Sequence, residues 1–508
     1  MSENKPRKLS REEIANLEIG HTEAGTAQKW VLTLFFLAFI AIYPVCQFCY
    51  RQPFAQWRDA GDLRQSIKAY ETAIEDTSLL RKWLLPPIQS LLTDVLRFGN
   101  EKVIVGRNGW LFFSGDCEYL FNPGFLRPEV LHRRELKGVQ PDPVAAVADF
   151  HRQLKARGIR LILVPVPNKP MICSDALLGG SRPLQNPSFR SFVKQLEAEG
   201  VTVIDLTEDL AALRRSGVEP FLKTDTHWTV AGMELAARRL AAAISERTQL
   251  PRPVRTERVT NLGDIAVMLK LPECERRFPA ETETVADYGV RADRDSDVLL
   301  LGDSFANIYS SAALNWGQGG GLAETLGAML GTPVDAIVRN DAGAFATRRL
   351  LADELKRGHD RLAGKKIVVW EFAVRELANG DWKIVELPQV KASDVKPAPD
   401  VVPGARTVTA TVLKISAVPR PGSAPYKDHV VSLHLALDGG EKALVYAVSM
   451  RDNVWTDAAK LRAGDKIKIK LEPWEKREPE FGTWNRSEFD EEELLLLEPF
   501  FGEIVSLK

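Results

Sequence analysis

Residues 143–167 read PVAAVADFHRQLKARGIRLILVPVP, and the join at Gly158 decides the fold class. Before the glycine, apolar residues recur at three- and four-residue intervals, the repeat of an amphipathic helix, and Gly158 is placed to close it. After it, IRLILVPVP is an almost unbroken apolar run of strand length, which is how a strand buried on both faces reads. A helix delivered straight into such a strand is part of a βαβ unit.

The same alternation continues outward. A helix around 188–199 precedes the strand VTVIDLT, and the helix VAGMELAARRLAAAISERT begins at Val230. Residues 251–296 read as a polar, irregular insertion. Then follow the strand DVLLLGDSF (297–305), a helix near 321–330, the strand VDAIVRN, the helix ATRRLLADELKRG and the strand KKIVVWEF. Apolar strands separated by helices predict an α/β domain over 101–386, a parallel sheet flanked by helices. Near its start, KVIVGRNGWLFFSGD predicts a hairpin turning at Asn108-Gly109.

Residues 51–100 have helical periodicity and form an expected connector, and the proline-rich 387–402 an expected linker. From 403 to 508 only strand patterns remain, among them RTVTATVLKISAV, HVVSLHLALDGG and DKIKIKLEPW, which predict a small β domain, barrel or sandwich. Trp455, Trp474 and Trp484 in it are either core or stacking surfaces for a glycan.

From Trp30 to Tyr50 there is no charged residue, about the length a helix needs to cross a bilayer. The expectation is an uncleaved transmembrane anchor behind a cytoplasmic tail, residues 1–29. A cleaved signal peptide is the rival, but VCQFCY lacks the small-x-small pattern. Basic residues flank both sides almost equally, and the bulk beyond the span points to export, in a bacterium an inner-membrane protein with its folded part in the periplasm. The 67 basic and 68 acidic residues, formal charge -1, argue against nucleic acid as a partner. Cys117, Cys173 and Cys274 lie beyond the span, allow at most one disulfide among themselves, and match no zinc or redox spacing. Neither metal nor cofactor is expected.

In an α/β sheet, ligands gather at the carboxyl ends of strands, and DVLLLGDSF delivers Gly302, Asp303 and Ser304 at such an end. A small residue before the serine permits a sharp turn, and the serine amide is placed to stabilise an oxyanion. A serine hydroxyl needs a base. Among seven histidines, His227 is the one that follows an acid by two within a loop leading into a helix, Asp225 in FLKTDTHWTVAG (221–232). The plain readings stand beside the chemical ones: Gly-Asp-Ser is a common turn, and Asp225 or Thr229 can serve as a helix N-cap.

LLLGDSF with TDTHWTVAG upstream resembles the SGNH-hydrolase-like domain of the alginate O-acetyltransferase family, the AlgJ/AlgX type. Ordinary SGNH esterases place the serine block first, whereas this family and this chain place Asp-x-His before it. GRNGWLFF, VPVPNKPMI and VVWEFAVREL extend the resemblance over roughly residues 100–385. The resemblance implies Ser304 as nucleophile, His227 as general base and Asp225 as its orienting carboxylate. It suggests Glu371 and Arg375 as a pair supporting the site, or else a strand-end salt bridge, and Asn340 in VRNDAG is the candidate second oxyanion donor. The implied activity is acetyl transfer through an acyl-enzyme to an exported polysaccharide, with a multi-spanning membrane O-acyltransferase as donor partner. A carbohydrate esterase or a polysaccharide-binding protein with an unused triad are the alternatives.

Overall fold

The computed structural model describes residues 25–51, 78–390 and 405–507, apart from 181, 247, 341–343, 423–425 and 490, with a few isolated positions before 78. Most of the expected tail, connector and linker (1–24, 52–66 and 391–404) therefore lies outside the described residues. Residues to Ile88 form one compact unit and Gln89–Lys508 another.

Gly158 adopts φ +75°, the left-handed turn that ends the helix Pro143–Lys155. At the other end Asp142 accepts from the amides of Val144 and Ala145. The chain then enters β1, Arg160–Val166. With β2 (Thr202–Val203), β3 (Val298–Gly302), β4 (Asp335–Val338) and β5 (Ile367–Ala373) it builds a five-stranded sheet in the order β2-β1-β5-β3-β4. Every pairing is parallel. All carboxyl ends therefore lie on one side, and the segments after β1, β3, β4 and β5 converge there. The expected helices pack around the sheet, and the fully buried Trp370, Phe372, Trp382 and Phe150 join in ring contacts at its centre. Each such side chain contributes about 1.5–3 kcal/mol over leaving it exposed.

The hairpin at Asn108-Gly109 forms, with both residues at positive φ (52° and 81°), pairing Val103–Val105 with Leu111–Phe113. Residues 251–296 are more regular than their polar sequence suggests. Arg255–Asn261 pairs antiparallel with Glu281–Asp287, and the helix Asp264–Met268 lies between the two. Their burial alternates because one face of this ribbon covers the site, so few positions are apolar.

Beyond the linker, β6 (Arg406–Ile415), β7 (His429–Leu437), β8 (Lys442–Arg451), β9 (Lys466–Pro473) and β10 (Pro499–Leu507) close on themselves. Neighbours run β6-β7-β8-β10-β9 and back to β6, antiparallel except for β8 with β10. Counting strands along the domain, the order is 1-2-3-5-4-1, the closed five-stranded Greek-key barrel of the OB fold. Of the two expected forms, barrel or sandwich, the domain takes the barrel. Val412, Val431, Leu433, Val445, Ile467 and Ile469 fill its interior. Trp474 is buried, Trp455 donates to Pro419 O, and Trp484 packs on Phe481, so these rings are engaged within the domain.

The helix Thr26–Arg51 covers the segment expected to span a membrane, and Trp30, Phe35 and Phe39 on it are exposed. Among the described residues no helix is long and apolar enough to cross a membrane, and the transmembrane expectation gains no support there. Cys117, Cys173 and Cys274 are buried free thiols.

Candidate active site

Asp225 and His227 sit in a tight loop pinned by a bridge between Phe221 and Trp228. Thr229 caps the helix Val230–Ile244 by accepting from the Gly232 amide. A Cβ on Gly232 would fall 2.3 Å from Pro220 O, so this close approach requires glycine. Trp228 Nε1 donates to Phe305 O at 3.0 Å, tying the loop to the turn after β3.

That turn carries Ser304 at the start of the helix Ser304–Asn307. Ser304 Oγ lies 2.8 Å from His227 Nε2, and His227 Nδ1 lies 2.6 Å from Asp225 Oδ1. The three side chains thus form one hydrogen-bonded line, each less than one-tenth exposed. Asp225 is held on both oxygens: Oδ1 also accepts from the His227 amide, and Oδ2 accepts from Trp316 Nε1 at 2.9 Å and the Asp264 amide at 3.0 Å.

Burial raises the cost of charge on Asp225, yet these donors, His227 foremost, overcome it and hold its carboxyl well below the usual range. Burial likewise opposes protonation of His227, but the hydrogen bond to Asp225 and the charges of Asp225 and Asp264 outweigh it and raise its affinity for a proton. Asp264 is pushed up to about 6 by burial and by the neighbouring charge of Asp225. The ligand atoms of Asp225, His227 and Asp264 lie within 4.8 Å of one another. Each already has a protein partner, Asp264 through Thr226, so a cation would have to break this network.

Glu371 is fully buried, and its Oε2 accepts from the Asp303 amide at 3.0 Å. Burial, then the charge of Asp303, raises its pKa well above the carboxylate range. Asp303 in turn accepts from the Phe305 and Ala373 amides, so Glu371 and Asp303 fix the serine turn to β5. A Cβ on Gly302 would meet Ala306 Cβ at 2.7 Å and Glu371 Oε2 at 3.1 Å. Among the described ion pairs Arg375 pairs with Asp116, at 2.9 Å, and not with Glu371. Its charge is nonetheless felt by His227 and by Asp303. Asn340 follows β4, with Oδ1 accepting from Asn307 Nδ2 and its own Nδ2 donating to Thr483 O in the barrel domain.

Lys169, Trp316 and Asp264 were not singled out from the sequence. Lys169 is fully buried, and Nζ donates to the carbonyls of Leu222, Lys223 and Asp225 (3.1, 3.1 and 2.6 Å), clamping the histidine loop from beneath. The block VPVPNKPMI carried it, but nothing local tells a clamping lysine from a surface one. Trp316 sat in NWGQGGGLAE, where the glycines drew attention, and Asp264 in the segment read as an insertion.

A parallel α/β sheet with a serine, histidine and aspartate in one hydrogen-bonded line at its carboxyl edge defines the class: a protein of SGNH-like α/β fold. The family description "SGNH hydrolase-like domain, acetyltransferase AlgX" matches residues 103–374, more than half of the chain, and the chain belongs to this family. It is similar to the probable alginate O-acetylase AlgJ of Pseudomonas fluorescens, 28% identical over 298 residues, covering 55% of this chain and 69% of that protein. The counterpart from Pseudomonas aeruginosa is 28% identical over 327 residues, covering 58% and 76%. The solved O-acetyltransferase domain of Pseudomonas putida AlgJ is 22% identical, with a TM-score of 0.40, covering 58% of this chain and 95% of that domain.

Proposed function

We propose that the chain is an O-acetyltransferase acting on an exported polysaccharide, alginate being the polymer in the names of its relatives. The single observation that carries this is the hydrogen-bonded line from Asp225 through His227 to Ser304 in a chain of this family. His227 takes the Ser304 proton as Oγ attacks the donor's acetyl carbonyl, and returns it to the departing group, leaving an acetyl ester on Ser304. A sugar hydroxyl then attacks that ester. His227 takes its proton and hands it back to Oγ, regenerating the serine and releasing the acetylated sugar.

The oxyanion of both steps needs donors. The Ser304 amide, in the first helical turn, has no intrahelical acceptor. Arg375 is the second donor in this proposal, because Asn340 Nδ2 already donates to Thr483 O. The donor partner is a multi-spanning membrane O-acyltransferase. In this proposal the protein works in the periplasm, and cell fractionation tests that assignment.

Incubation of the purified chain with p-nitrophenyl acetate, with and without oligosaccharide, tests the activity. Acetylated sugar supports transfer, whereas acetate alone supports an esterase that uses water. Turnover that survives Ser304→Ala refutes the assignment of the nucleophile.

A further inference from the structure

We infer that Glu281 is a positioning residue for His227, and that it acts through the backbone of the histidine loop from its place on the 255–287 ribbon. This rests on His227 as the base of Ser304. From Phe221 to Thr229 every residue is buried except the half-buried Lys223. A loop so far out of water holds its shape only where its peptide groups find partners.

Those partners are of two kinds, opposite in charge. Glu281 Oε1 accepts from the Lys223 amide and Oε2 from the Thr224 amide, both at 2.8 Å, and Oε2 also accepts from Thr224 Oγ1 at 2.7 Å. Consecutive amides that share one carboxylate make an anion-binding nest, here filled from 57 positions further along the chain. Asp264 Oδ1 accepts from the Thr226 amide at 2.7 Å, and Glu283 Oε2 from the Val230 amide at 3.1 Å. All three acids lie on the ribbon or on the helix between its strands. The carbonyls of Leu222, Lys223 and Asp225 meet a cation instead, Lys169 Nζ, and the charges of Asp264, Asp225 and Glu281 all bear on it.

The placement of these bonds decides the role. Glu281 holds the two residues before Asp225, and Asp264 holds the one between Asp225 and His227. The ribbon therefore sets the direction in which both triad side chains leave the backbone. A Cβ on Gly263 would fall 2.3 Å from Thr224 O and 2.4 Å from the Asp225 nitrogen, so ribbon and loop meet backbone to backbone at this point. Among the described hydrogen bonds Glu281 makes none to a triad side chain, so its effect passes through the loop. His227 Nε2 reaches Ser304 Oγ at 2.8 Å, and a displacement of about 1 Å in such a pair costs up to about 10²-fold in rate.

The test uses the purified full chain. Glu281→Gln keeps the shape of the side chain but turns an NH2 group towards one of the donors. Hydrolysis of p-nitrophenyl acetate then loses about tenfold in kcat, with KM within about twofold of native. The proton in the 2.6 Å hydrogen bond between His227 and Asp225 supplies a second readout, a low-field proton resonance identified by its disappearance in Asp225→Asn. It moves upfield or vanishes in Glu281→Gln, whereas a contact that only steadies the fold leaves it in place. Glu281→Asp keeps the carboxylate but withdraws it by one methylene. It gives the same two signs at smaller size, and decides the matter where the glutamine variant fails to fold. An unmoved resonance in a folded variant, a kcat within about twofold of native, or a loss carried by KM alone overturns the inference. The resonance does not depend on turnover, and Ser304→Ala tests the nucleophile separately, so failure of the catalytic reading is distinguishable from failure of the role given to Glu281.

Discussion

Trp316 Nε1 donates to Asp225 Oδ2 at 2.9 Å, on the carboxylate oxygen opposite the one that holds His227. The tryptophan is fully buried, so this is a hydrogen bond to a charged group out of water, worth about 1.5–3 kcal/mol. Trp316→Phe keeps most of the ring and removes the donor. Asp225 becomes more basic and draws the His227 proton more strongly. The expected result is a fall in kcat of roughly tenfold and an acid limb of the pH profile that moves to higher pH. An unmoved limb would mean that the indole only fills space.

The protonation state of His227 sets a second expectation. Burial works against its charged form, but Asp225 and Asp264 outweigh it, and its pKa lies above the ordinary 6.5. As general base it must be neutral, so kcat/KM rises with pH through that raised value and is depressed below it. Asp264→Asn removes one of the two charges responsible, and the acid limb then moves down in pH. Rates of p-nitrophenyl acetate hydrolysis between pH 5 and 9 provide the measurement, and a limb that stays or rises in Asp264→Asn would refute the electrostatic account.

Lys169 gives a prediction about stability. Its ammonium is fully buried, and burial lowers its pKa while Asp264 and Asp225 oppose that shift. Lys169→Met keeps the length and leaves three loop carbonyls, at Leu222, Lys223 and Asp225, without this donor. Breaking a buried charged network of this kind costs about 3–5 kcal/mol. The denaturant midpoint should fall accordingly, and turnover with it, because the histidine loop loses its floor. A midpoint within error of the native chain would show that the loop holds itself.

These expectations also mark what the sequence could and could not say. The five parallel strands were legible because strands buried on both faces have to be apolar, and the helices because one stripe of each must be. Ser304, His227 and Asp225 were legible as candidates only in combination and order, because Gly-Asp-Ser alone is a common turn and Asp-Thr-His alone can cap a helix. The supporting residues were not. Trp316 and Asp225 are 91 positions apart, Lys169 and Asp225 56, and no local pattern records a contact made only by the fold. The ribbon around 255–287 was misread for a similar reason. Its partly covered strands carry Thr, Glu and Arg in alternation, so composition suggested a loop where pairing made a hairpin. Four of the five barrel strands were visible in the sequence pattern but β10 was not, and closure depends on β8 meeting β10 in parallel, a non-local pairing without a sequence signature.

Arg375 supplies the last prediction. It follows β5 as Ser304 follows β3, the two strands are adjacent, and its side chain is 19% exposed. If it stabilises the oxyanion, Arg375→Ala lowers kcat by about 10²–10³ with little change in KM, the usual cost of one such donor. Arg375→Lys restores only part, because an ammonium reaches a different point and lacks the planar fork. The competing account is that Arg375 serves only to satisfy buried Asp116, whose carboxyl burial pushes up and the arginine pulls down. Asp116→Asn separates the two. It removes the charge that Arg375 would exist to pair while leaving in place the guanidinium whose charge His227 feels. Retained turnover in Asp116→Asn, together with the loss in Arg375→Ala, assigns the arginine to the reaction. Equal losses in both variants, with matching falls in the denaturant midpoint, assign it to structure.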